Sequence, residues 1–222
     1  GGQLPIQRRM PYKRGFTNRM QAPWETVNLG QLDSLNAEGP VTPEVLKAAG
    51  ADEIVLIGHS DGASIAALHC GMVRDPRVRG LVLMAPHFFT EEGGLKSIAE
   101  AKAAYDKGDL RARLGKYHKD VDNAFRGWND AWLDPGFKSW NIAEAIDYLR
   151  IPVLAIQGAD DQYGTLAQIR EIEDRIYSPV DVEVFADCKH SPHVEQSDKT
   201  LSAIAEFCAR LVRIEAAEVE VA

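Results

Sequence analysis

The stretch Gly58-His59-Ser60-Asp61-Gly62 constrains this chain more than any other, because its form G-x-S-x-G stands directly between an apolar run and a helical pattern. Glu53 to Gly58 reads as the incoming strand and Ala63 to Val73 as the outgoing helix. Three fixed positions are a weak string, and the strand, sharp turn and helix around them supply the meaning. Glycines at such a turn permit close backbone approach and strained dihedrals that lift Ser60 into the open. The helix that follows directs its N-terminus at the same spot, so the backbone N–H of Asp61 is the candidate oxyanion donor.

Around this turn the pattern is a regular alternation of strand and helix. Gly80 to Met84, Ile151 to Gln157 and Val182 to Phe185 read as further strands, each a continuous apolar run of the kind that is covered on both faces. Thr165 to Tyr177 and Ser197 to Val212 read as helices. The fold class is therefore α/β, with a mostly parallel sheet. From Phe88 to Leu149 the chain makes a long excursion, read as a helical cap, that carries Tyr105, Tyr117, Phe125, Trp128, Trp132, Phe137 and Trp140. Two readings stay open for these rings: they hold the cap's own small core, or several of them line an apolar pocket.

A serine hydroxyl is a poor nucleophile until a base takes its proton, so the turn predicts a histidine and an orienting carboxylate downstream. Both follow in that order. The strand ending at Gly158 runs into Ala159-Asp160-Asp161, and the next strand runs into Asp187-Cys-Lys-His190-Ser-Pro-His193. In α/β sheets active sites gather at such C-terminal strand ends. On these residues, 51 to about 213 resemble the C-terminal two-thirds of an alpha/beta-hydrolase of the esterase and carbon-carbon-bond hydrolase type. The resemblance implies a catalytic Ser60, Asp161 and His190, with Asp161 preferred over Asp160 because the family's acid sits three residues after the closing glycine. The family's histidine loop commonly reads Cys-Gly-His-Ser-Pro-His, whereas this chain has Lys189 at the glycine position. Of the remaining groups, His59, His118 and His193 read as structural, His87 is undecided, and the side chains of Asp160 and Asp61 suit turns or caps.

The family has eight strands and a second oxyanion donor from a loop upstream of the nucleophile strand, and residues 1 to 50 offer no His-Gly loop and no strand set to match. One lost donor costs about a hundredfold to a thousandfold in rate. The nucleophile strand is also expected to become a sheet edge, open to pairing with another chain as a dimer.

Residues 1 to 24 hold Arg8, Arg9, Lys13, Arg14 and Arg19 and no acidic residue, although the whole chain has a net charge of -8. Gly1-Gly2-Gln3-Leu4-Pro5-Ile6-Gln7-Arg8-Arg9-Met10-Pro11, Arg14-Gly15-Phe16, Val27-Asn28-Leu29-Gly30-Gln31-Leu32 and Val41-Thr42-Pro43-Glu44-Val45-Leu46 resemble the bacterial large-subunit ribosomal protein fifteen. That resemblance implies an extended basic arm whose cations contact rRNA phosphates, and after it Thr42 as N-cap, Pro43 at the first helical position and Gly50 as the stop read as a short helix. A solvated basic tail is the plainer reading of the same residues.

The expected layout is thus an arm and helix over 1 to 50, a truncated hydrolase domain over 51 to 213 with its cap at about 88 to 149, and an acidic tail over 214 to 222. The acidic balance argues against a generally nucleic-acid-binding or membrane-seeking surface. Cys70, Cys188 and Cys208 are odd in number and without metal-like spacing, which fits a reduced, cytoplasmic compartment. No metal or organic cofactor is implied. A first residue of Gly1 points to a processed, engineered or partial chain. The expected activity is attack on a small-molecule carbonyl substrate: an ester, thioester or activated carbonyl. The alternatives are an rRNA-binding segment or a non-catalytic fusion.

Overall fold

The computed structural model describes the backbone of residues 53–221 and the side chains of residues 53–213. The expected arm and the helix from Thr42 to Gly50 lie outside the described residues. The elements in order are β1 (Ile54–His59), α1 (Asp61–Val73), β2 (Val78–Met84), α2 (Glu92–Lys107), α3 (Leu110–Leu114) and α4 (Val121–Trp132). Two 3-10 turns at Pro135–Ser139 and Ala143–Tyr148 lead into β3 (Val153–Gly158), α5 (Ala167–Arg175), β4 (Val180–Phe185), α6 (Pro192–Glu195) and α7 (Ser197–Val221).

The four strands lie in the order β1-β2-β3-β4, every neighbouring pair parallel. Parallel strands need long crossovers, and α1, the cap excursion and α5 provide them. Side chains alternate across the sheet. Leu81, Leu83, Val153 and Ala155 face α1, α5 and the second 3-10 turn, packing with Ala63, Ala67, Ile146, Ile169 and Ile172. Val82, Met84, Leu154 and Ile156 face the other way, onto Phe207 and Leu211 of α7. Each such large side chain, buried in full, contributes about 1.5–3 kcal/mol relative to exposure, so the central strands β2 and β3 anchor the domain.

The edge strand β4 differs from what its sequence led us to expect. β4 is not a continuous apolar run: Asp181 and Glu183 alternate with Val180, Val182 and Val184, and Val184 is 43% exposed. An edge strand has one face and one flank open to water, which makes polar alternation cheaper there than in β2 or β3. Its Asp181 pairs with Arg210 of α7. At the opposite side β1 pairs, among the described residues, only with β2, and Ile57 is 47% exposed. The last helix also continues past Val212 to Val221. The stretch from Ile214 to Val221 is rich in Ala and Glu, good helix formers with no breaker among them, so the expected acidic tail is the end of α7.

The excursion is helical as expected, and its packing splits the aromatic residues into two groups. Tyr105 and Phe125 stack in parallel at 3.8 Å and close the cap's own core, while Tyr117 stands in solvent. Asn129 is buried in α4 and its amide donates to the Ile98 carbonyl of α2 at 2.9 Å, fixing the two cap helices together. Glu91 anchors the cap to the sheet domain, its carboxylate accepting from Thr165 N–H at 2.9 Å, Thr165 Oγ1 at 2.6 Å and Gln168 Nε2 at 2.8 Å.

Candidate active site

Ser60 sits between β1 and α1 with φ 55° and ψ -124°, a conformation that L residues rarely adopt and that costs on the order of 1–3 kcal/mol. Backbone bonds hold it there: its N–H donates to Met84 O at 2.9 Å, and its carbonyl accepts from Ala63 N–H at 2.9 Å and Ser64 N–H at 3.2 Å. A Cβ at Gly58 would overlap the backbone of Gly62 and Ala63, which explains the first glycine of the motif. The second is not explained in that way, because a Cβ at Gly62 would meet nothing within 4 Å. The strain is carried by Ser60 itself. The first N–H groups of a helix have no intrahelical acceptor, so Asp61 N–H at the head of α1 is available to a ligand beside Ser60. The Asp61 carboxylate has a separate contact, accepting from Trp132 Nε1 at 3.4 Å.

The loops after β3 and β4 bring the other two expected residues to the same place. His190 Nε2 lies 2.9 Å from Ser60 Oγ, and its Nδ1 lies 3.0 and 2.9 Å from Asp161 Oδ1 and Oδ2. An ionised carboxylate can only accept, so Nδ1 carries the proton toward Asp161 and Nε2 is left to accept from the Ser60 hydroxyl. Burial acts to raise the pKa of Asp161. Bonds from His190 and from Tyr163 and Gly164 N–H outweigh it and hold the carboxyl below its usual value. Asp160 is not part of this contact; its N–H donates to Cys188 O at 2.9 Å and shapes the turn.

Two residues that sequence reasoning passed over, and one that it read as structural, support the arrangement. Gln157, on β3, donates through Nε2 to Asp161 Oδ2 at 2.7 Å and to Gly164 O at 3.0 Å. Its Oε1 is buried without a partner among the described residues, at a cost of about 1–3 kcal/mol, so the amide is held there for its donors. A glutamine inside an otherwise apolar strand, four residues before the acid, was the readable signal. Glu195 accepts from Lys189 N–H at 2.9 Å and from Ser191 N–H at 3.0 Å, bracketing His190 on both sides. His59, expected to be structural, donates from Nε2 to the His190 carbonyl at 2.7 Å and packs edge-on against His193.

Lys189, where the resembling family has glycine, is accommodated because the left-handed residue of this loop is Asp187, with φ 52°. The glycine that the loop does require is Gly158: a Cβ there would overlap the carbonyl oxygens of Lys189 and Cys188. Burial pushes the Cys70 thiol up to about 12 and also raises Cys188 and Cys208, so none of the three unbonded cysteines competes as a nucleophile at neutral pH.

Above Ser60 lies a cavity of about 270 Å³ walled by Ile98, Trp128, Trp132 and Tyr163. Ser60, His190 and His87 form its polar floor. Of the aromatic residues in the cap, Trp128 and Trp132 therefore face the cavity, with Phe137 and Trp140 stacked together behind Trp132. Among the described residues no group of His, Cys, Asp and Glu is arranged to hold a metal ion. No described helix is long and apolar enough to cross a membrane.

A model of the alpha/beta hydrolase family matches residues 14–203. That match begins well upstream of residue 51, where the hydrolase-like stretch was expected to start. Among solved structures, a meta-cleavage product hydrolase from Pseudomonas fluorescens is similar with a TM-score of 0.56 at 19% identity, covering 88% of this chain and 76% of that one. An esterase from Rhodococcus gives 0.54 at 20% identity, covering 75% and 69%. A different likeness is carried by sequence: the large ribosomal subunit protein uL15 of Dehalococcoides mccartyi is 42% identical over 76 residues, which is 31% of this chain. The chain spans about half the length of that relative.

Proposed function

The chain belongs to the alpha/beta hydrolase family, and from that premise we propose that it is a serine hydrolase acting on an ester, thioester or activated carbonyl through Ser60. The observation that carries the proposal is the continuous hydrogen-bonded line from Ser60 Oγ through His190 to Asp161, each link 2.9–3.0 Å long. In this reading His190 Nε2 takes the Ser60 proton as Oγ attacks the carbonyl carbon, and Asp161 stabilises the imidazolium that forms. Asp61 N–H faces the oxyanion, with the head of α1 adding its dipole. As the intermediate collapses, His190 returns the proton to the leaving group. A water activated by the same nitrogen then hydrolyses the acyl-serine. Burst kinetics with 4-nitrophenyl acetate test this: a burst stoichiometric with protein and lost in Ser60→Ala is expected, and equal turnover by the two proteins would remove the proposal.

A second reading is favoured by the uL15 likeness alone. In this reading Arg8, Arg9, Lys13, Arg14 and Arg19, within the uL15-like residues 1–50, contact rRNA ahead of a hydrolase domain over 51–213 in a cytoplasmic protein. Cations that neutralise phosphates release counterions, so rRNA affinity should fall steeply with salt. Charge reversal at Arg8, Arg9 and Arg14 should abolish a filter-binding signal at low salt, and binding that survives the reversal would dismiss the arm.

A further inference from the structure

His87 follows β2 and lines the cavity beside Ser60 and His190, yet the line of bonds described above does not use it. It is only 4% exposed. Its backbone is pinned on both sides, with Ser64 Oγ donating to its carbonyl at 2.6 Å and its own N–H donating to Ser64 Oγ at 3.2 Å. Its ring packs edge-on with Trp132, the ring centres 5.2 Å apart, and Gly164 leaves it room, since a Cβ there would stand 3.1 Å from Cε1. Among the described residues, no side chain or backbone group bonds either ring nitrogen.

Among the described residues the fully buried side-chain polar atoms without a partner are Asn129 Oδ1 and Gln157 Oε1 and not the His87 ring nitrogens, so the imidazole keeps polar surface on the cavity that a phenylalanine of similar shape would lack. Such a group in a cavity wall is explained when a ligand supplies the partner. Burial, helped by the nearby His190, pushes its pKa down to about 4, so at neutral pH the ring offers one N–H and one lone pair and no charge. A neutral ring suits a carbonyl or hydroxyl oxygen better than a carboxylate. The His87 and His190 ring centres are 5.6 Å apart, which places that oxygen a few bonds from the carbon attacked by Ser60.

We infer that His87 is a specificity-determining contact that hydrogen-bonds a neutral oxygen borne by the substrate near its reacting carbonyl, so that keto- or hydroxy-acyl compounds are favoured over plain hydrocarbon acyl esters. The inference rests on the serine hydrolase reading for its chemistry. A site built to bond a substrate oxygen rejects the analogue lacking it far more strongly than an apolar pocket rejects a missing methylene.

The test compares kcat/KM for 4-nitrophenyl 3-oxopentanoate and 4-nitrophenyl pentanoate, each divided by its spontaneous hydrolysis rate. The wild-type ratio should be about tenfold or more, should collapse toward one in His87→Phe, and should return in part in His87→Gln, whose amide can still donate. A wild-type ratio near one, or a ratio that persists in His87→Phe, overturns the inference. A separate arm needs no chemistry and no folded His87 variant: the Ser60→Ala protein should bind 3-oxopentanamide about tenfold tighter than pentanamide, read by tryptophan fluorescence. Preference in binding without any ester cleavage would retain His87 and remove the serine hydrolase reading. Cleavage with equal binding of the two amides would do the reverse.

Discussion

At the scale of single residues, the site is a set of groups whose protonation is set by what they touch. His87 is held neutral by burial, with a folded pKa of about 4, against about 6.5 for a histidine in an unfolded chain. Between those values the unfolded chain binds the proton and the folded one does not, so stability falls as pH drops from about 6.5 to about 4 and then levels off. For His87 alone the loss is about 3 kcal/mol at most. His59 is lowered as well, by burial, and adds to the same trend. Urea titrations at pH 7 and pH 4.5 should therefore show a smaller acid loss for His87→Phe than for wild type. An identical loss in the two proteins would contradict the buried, neutral assignment. Asp161 has the opposite linkage: its depressed pKa gives stability that is present above the ordinary carboxylate range and is lost only as pH falls through its folded value.

At the scale of elements, precision comes from loops pressed against strand ends. β3 closes on Gly158, and the His190 loop crosses directly over it. Gly158→Ala should cost about 3 kcal/mol or more. It should also lower ester hydrolysis by about a hundredfold, because a shift of roughly 1 Å at His190 breaks the contact with Ser60. Stability within about 0.5 kcal/mol of wild type would show that the loop has room to move. This level also separates what was legible in the sequence from what was not. The strands, their order along the chain and the strand-end positions of Ser60 and His190 could be read because periodicity and strand-end placement are local properties, whereas Asp161 was preferred to Asp160 only through the family resemblance. The structure links the three side chains by contacts of 2.9–3.0 Å. The donors and acceptors that Gln157 and Glu195 provide could not be read, since each acts on a loop whose path depends on packing. The polar β4 misled us for a related reason: edge position is a property of the sheet, invisible to a strand taken alone. Nor could sequence divide the aromatics: Phe125, Trp128 and Trp132 share one face of α4 at i, i+3 and i+7, and only the packing of α2 against that face pairs Phe125 with Tyr105 while Trp128 and Trp132 reach the cavity.

At the scale of the whole molecule, the described residues form a sheet domain with a cap closing over the C-terminal ends of its strands. Among the described residues β1 pairs only with β2 and Ile57 is half exposed, and an edge of that kind offers unpaired backbone groups to a second copy. We propose such a dimer; sedimentation should give twice the chain mass, shifting to the monomer on Ile57→Lys, and a wild-type monomer at all concentrations would dismiss it. Whether Ser60 is the nucleophile is decided by incubating the intact chain with a fluorophosphonate and mapping the adduct by peptide mass spectrometry. One adduct is expected, on Ser60, formed rapidly at neutral pH and slowed by about a hundredfold or more in His190→Ala. No adduct on the folded protein, or labelling of other serines at a rate indifferent to His190, would contradict that role.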